Sequence, residues 1–240
     1  MTPAEVCVVG RIRPSGSSAA DITGISGAAP HLKCLELGDK GQKDWLGLVY
    51  GLMDQGQYEE AKATVKLMPE PYERTIAYQR IAKGQAESGD LNGARETLRL
   101  GMDEARNRKD EAERFRMLMG IIGAITEVGL YDEVKGALLF LETSQLPQAL
   151  VMVGKIQGDS HVRGGREDTD SARETFNKAV EIELRRQDTV TADKHLADIV
   201  EGQAQVGLVK EARQTLSLIK DAATREIAEG HITWWSAKPD

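Results

Sequence analysis

This sequence predicts an all-α fold of about five antiparallel helix pairs and one closing helix, on three observations. A short motif returns at intervals of 33 to 40 residues, apolar side chains before the copies recur at helical spacing, and a glycine closes most of those stretches. A period of that size means stacked helix pairs, because one pair buries its apolar face only against its neighbours. Bulk composition agrees. The chain has 240 residues, 40% of them hydrophobic and 29% charged, which supplies a core and excludes wholesale disorder. Its longest apolar stretches, near Leu118 to Ile125 and Ala137 to Leu141, are too short for a membrane span. A net charge of −7 argues against broad adsorption to nucleic acid or anionic lipid.

Residues 1–42 read as a flexible tail. Clusters such as Pro14 to Ala20 and Gly24 to Pro30 have no helical period and bury too little to offset the entropy of ordering. The run Val6 to Ile12 is strand-like but needs an edge to pair with. No secretory apolar block is present, so a cytoplasmic location is expected. The Ser, Ala and Arg content of the tail leaves organellar import open.

From residue 43 to 235 the chain repeats itself. Gly56 to Ala61, Gly89 to Ala94, Gly129 to Val134 and Gly207 to Ala212 each hold a glycine, a large apolar residue two further on, and a small or branched one five further on. A fifth copy follows from Ala172-Arg173-Glu174-Thr175-Phe176, which parallels Ala94 to Leu98 and Ala212 to Leu216. Anchor positions 61, 94, 134, 172 and 212 are then 33, 40, 38 and 40 residues apart. Ahead of the glycines, Ile81 to Ala86, Ile199 to Ala204 and Ile227 to Ile232 match closely, and Tyr78, Ile81, Ala82 and Gln85 form one helical stripe. Each glycine then ends a helix in the left-handed region, and Asp90 and Asp132 stand where the next helix is capped. Residues 236–240 remain as a short C-terminal tail.

The pattern resembles the tetratricopeptide repeat, carried in the first unit by Trp45, Leu48, Val49 and Leu52, then Gly56, Tyr58 and Ala61. That resemblance implies a right-handed α-solenoid. Two features depart from it: no proline regularly closes a unit, and most units exceed the usual length, as in Leu91 to Asn107 with Glu111 to Glu127. The resemblance also implies that function resides on the concave face of the first helices. Carried over by position, that strip is Leu46, Tyr50 and Met53, then Gln79, Lys83 and Ala86, then Met119, Gly123 and Thr126. It continues through Val151 and Lys155, then Ala197, Glu201 and Ala204, and ends at Arg225 and Glu229. Trp234 and Trp235 either cover the last repeat or anchor another subunit.

Little in the chain asks for chemistry. The stretch Gly38 to Asp44 lacks the Gly-Lys-Ser/Thr ending of a phosphate loop. His31, Cys34 and Cys7 have no recognisable zinc spacing, so two reduced thiols and no bound metal are expected. Glu167, Asp168 and Asp170 lack the pattern of a calcium loop and read as a solvated turn, with Asp170 capping a helix. Surplus residues within His161 to Asp170 predict an exposed loop. His161, His195 and His231 lie in separate units without an adjacent nucleophile, so no catalytic residue and no cofactor is assigned. Gln85, Gln157 and Gln203 recur at one inward position, where a buried amide needs partners, and hydrogen bonds between neighbouring units are expected to supply them. The expected function is a non-catalytic scaffold that binds a protein or peptide through the concave face. The alternative is a structural subunit that assembles with itself or a larger complex through its ends.

Overall fold

The computed structural model describes Cys7–Val9, Leu32–Cys34 and residues 44–159 and 168–237. Strand β1 (Cys7–Val9) pairs antiparallel with β2 (Leu32–Cys34), placing Cys7 opposite Cys34. Most of the tail, including His31, lies outside the described residues, as do residues 161–167 of the loop expected over His161 to Asp170, whose last residues instead cap and open a helix. The other described elements are helices: α1 (Trp45–Met53), α2 (Tyr58–Val65), α3 (Pro71–Glu87), α4 (Leu91–Arg106), α5 (Glu111–Glu127), α6 (Tyr131–Leu138), α7 (Leu146–Gly158), α8 (Thr169–Leu184), α9 (Thr189–Gln205), α10 (Val209–Leu216) and α11 (Ala222–Ser236). No described helix is long and apolar enough to cross a membrane.

The predicted glycine turns are present. Gly56, Gly89, Gly129 and Gly207 have φ of 70°, 88°, 79° and 78°. In each case the following amide reaches back into the helix: Gln57 to the Leu52 carbonyl, Asp90 to Gln85, Leu130 to Ile125 and Leu208 to Gln203. This double-back spends an orphan carbonyl and turns the chain within one residue. Asp90 caps α4 by accepting the Gly93 amide, as expected. Two other expected caps differ. Leu130 takes the cap position of α6 because its amide is already committed to Ile125, which leaves Asp132 in the first turn. On α8 the cap is Asp168, which accepts from Ser171, and Asp170 lies inside the first turn. Both acids still face the positive helix end.

Helices touch in sequential order. The odd-numbered series is continuous through α1, α3, α5, α7, α9 and α11, and each even-numbered helix packs on the odd helix before it. Ala61, Ala94, Ala172 and Ala212 are fully buried, as close helix crossings require. At the α7–α8–α9 junction Phe176 fills the space that side chains at Gly154 and Gly202 would otherwise take; a Cβ on either would lie 2.8 Å from its ring. Two ion pairs tie an even helix to the next even one, Arg95 to Glu133 and Arg173 to Glu211. They occupy matching positions, directly beside the anchor residues.

One register differs from the sequence match. Counted from the caps Glu70, Asp110, Asp188 and Asp221, the buried residues at equal distance are Ile81, Ile121, Ile199 and Ile232. Arg74, Arg114 and Arg225 stand at one distance from their caps, donating to the carbonyls of Met68, Arg108 and Ile219. Ile232, not Ile227, is therefore the counterpart of Ile81. The resemblance of Ile227 to Ile232 with Ile81 to Ala86 is a local likeness five residues out of phase. Ile227 is 62% exposed, whereas Ile81 and Ile199 are wholly buried.

Candidate functional site

Lys155 on α7 and Glu201 on α9 face each other across adjacent helices, Nζ to Oε2 at 3.8 Å. With Pro147, Gln148, Val151, His195 and Asp198 they line a cleft of about 200 Å³. Helical spacing places His195, Asp198 and Glu201 along one side of α9. Beneath them Glu183 on α8 is buried, and its carboxylate accepts from Arg186 Nε at 2.7 Å and meets His195 Nδ1 at 2.9 Å. That carboxylate holds the His195 ring at the cleft edge. Burial pushes the Asp198 carboxyl above the usual aspartate range, an effect opposed by His195 and reinforced by Glu201, with Lys155 and His231 opposing it more weakly.

The remaining strip residues divide by surroundings. Tyr50 is exposed, and Lys83 forms a 3.6 Å ion pair with Glu127 on the next odd helix. Met53 packs among the apolar side chains of the first unit, and Met119 lies against the core around α5. The Gln79 amide rests over Gly120, where a Cβ would sit 2.6 Å from it. Gly123, Thr126 and Ala204 are buried, so these small residues belong to packing and not to a surface. Arg225 secures the loop carbonyl of Ile219, and Glu229 is exposed on the far side of α11. Both were assigned to the strip through the shifted register. Counted from the cap, Trp234 is the α11 residue that corresponds to Lys83 and Glu201, and it is 60% exposed. Trp235, edge-on to it at 4.5 Å between ring centroids, packs against the core.

Two of the three glutamines bond a threonine within their own helix pair, where a bond between units was expected. Thr97 Oγ1 donates to Gln85 Oε1 at 2.7 Å, and Thr175 Oγ1 to Gln157 Oε1 at 2.8 Å. In the last pair Gln203 Oε1 is buried without a partner among the described residues, although Thr215 occupies the matching position. Among the described residues no three His, Cys, Asp or Glu side chains stand where they would hold a metal ion. The sequence reading placed His195 alone. Lys155 and Glu201 were expected on successive units of the strip and do meet, whereas Asp198, visible at helical spacing, and Glu183, which joins only through a contact between helices, were missed. No family model and no curated protein matches the chain.

Proposed function

We propose that the helices form a right-handed α-solenoid similar to tetratricopeptide arrays, and that the chain is a non-catalytic scaffold holding a protein or peptide against its concave face. The supporting observation is the unbroken sequential contact of α1, α3, α5, α7, α9 and α11, which lays Tyr50, then Gln79 and Lys83, then Met119, Lys155 and Glu201 on successive neighbours. A row of this kind gives a long ligand many weak contacts, and with Lys155 paired to Glu201 and His195 held by Glu183 the cleft suits binding more than proton transfer. The test is co-purification with the full chain against a Tyr50→Ala, Lys83→Glu, Lys155→Glu variant of equal melting midpoint. Loss of specific partners is expected, and an identical partner set refutes the groove. The exposed Ile227 and Trp234 favour the second reading, assembly through this end, for which light scattering is decisive. A concentration-independent oligomer supports assembly, and a stable monomer counts against it.

A further inference from the structure

Within that scaffold reading, we infer that the α7–α9–α11 end of the strip takes a partner segment in which an Arg or Lys lies beside a large apolar residue, the cation entering between Asp198 and Glu201 and the apolar side chain resting on Ile227 and Trp234. The counting from caps puts Trp234 on α11 where Glu201 stands on α9, Gly230 where Ala197 stands, and Ile227 where Lys194 stands. The apolar stripe lies on α11, which packs against α9, the helix that carries one wall of the cleft. Ile227 and Trp234 are 62% and 60% exposed, and a Cβ at Gly230 would meet nothing within 4 Å. A large aromatic, exposed beside a glycine, suits an apolar anchor, since large aromatic contacts dominate binding energy.

Charge decides the rest of the ligand. Asp198 and Glu201 face the single cation Lys155, whose ion pair with Glu201 is long at 3.8 Å, and Asp198 makes no ion pair among the described residues. The cleft therefore carries one uncompensated carboxylate. His195, held by the buried Glu183, and more weakly Lys155 and His231 favour the Asp198 anion, but less than burial disfavours it. Asp198 titrates high mainly because it is desolvated, so a guanidinium or ammonium placed against it relieves an existing cost. An acidic or phosphorylated segment meets two carboxylates instead and is rejected.

The test uses the full chain on an immobilised library of random peptides about a dozen residues long, followed by titration of the retained peptides. Retained sequences are expected to carry Arg or Lys within a helical turn of Leu, Phe, Ile or Trp. The double variant Asp198→Lys, Glu201→Lys and the single variant Trp234→Ala should each weaken binding at least about ten-fold, with melting midpoints unchanged. Asp198→Asn, which keeps the shape, should weaken it less, and added salt should weaken wild-type binding. Enrichment of acidic or uncharged peptides overturns the inference. So does binding that ignores these variants yet fails in Tyr50→Ala, Lys83→Glu, an outcome that leaves the scaffold reading standing. Retention of no peptide overturns both. A solution dimer that Ile227→Lys converts to monomer assigns the stripe to a second copy and likewise overturns it.

Discussion

The inner odd-numbered helices and the closing helix α11 share one spacing and fill it with opposite chemistry. Where α3, α5 and α9 place buried Tyr78, Leu118 and Leu196, α11 places exposed Glu229. Where they place Ala82, Ile122 and Val200, α11 carries exposed Thr233. These are the faces that an inner helix turns toward its own even-numbered partner, and among the described residues α11 has none after it. The sides that α11 turns inward, through Ala228 and Ile232, remain apolar. The backbone caps therefore set where each residue stands, while residue type reports what lies over it. The outer face of α11 is thus polar at these two positions, while Trp235 packs against the last core cluster.

The comparison is broken most severely from the inside. Phe176 lies between Gly154 and Gly202 and is wholly buried, so Phe176→Ala leaves a void that neither backbone closes. A loss of about 3 to 5 kcal/mol is expected from denaturant unfolding, against a smaller loss for Leu216→Ala, its half-buried counterpart nearest α11. Next in size is the polar bond inside a pair. Gln85→Leu deprives the buried Thr97 hydroxyl of its acceptor, at a cost of about 1 to 3 kcal/mol. Adding Thr97→Ala should recover most of that loss, because the α5–α6 pair already holds Ile125 and Ala137 at the same two positions. A double variant as unstable as the single would show that the two sites are not equivalent.

Much of this was legible in the residues, for a physical reason. Left-handed glycines and buried alanines are demanded by local geometry, so Gly56, Gly89, Gly129 and Gly207 and the anchors Ala61, Ala94, Ala172 and Ala212 declare themselves in any context. The closing helix was misread because Ile227-Ala228-Glu229-Gly230 copies an inner stripe in identity but not in distance from its cap at Asp221. A likeness of four residues cannot reveal which side is covered. The cleft was legible only in half. Lys155 and Glu201 follow from the repeat register, and His195 and Asp198 share a side of α9 with Glu201, but Glu183 reaches His195 from α8 through a contact that no spacing announces.

The polar end can be converted into an inner face. Glu229→Leu with Thr233→Val places on α11 the residue types that α9 buries, with little effect on the fold, within about 0.5 kcal/mol for surface changes. Sedimentation should show concentration-dependent association in this variant and none added by Glu229→Gln, Thr233→Ser. Association in neither would mean that this face is not what keeps the array from extending.

The smallest expected effect sharpens the comparison at the cleft, where α9 looks across at His231 of α11. The Asp198 carboxyl titrates above its ordinary value of 3.8, mainly through burial. A carboxyl raised on folding favours the folded chain while protonated in both states, and that contribution disappears as pH climbs through the raised value. At neutral pH the ionised group is therefore a net cost. Asp198→Asn, which cannot ionise, should melt slightly above the parent at pH 7, and the gap should close as pH falls below the ordinary aspartate range. A gap that widens on acidification would mean that Asp198 is stabilised as an anion by the groups around it. The cleft would then already be charge-balanced, and the case for a cationic guest would fail with it.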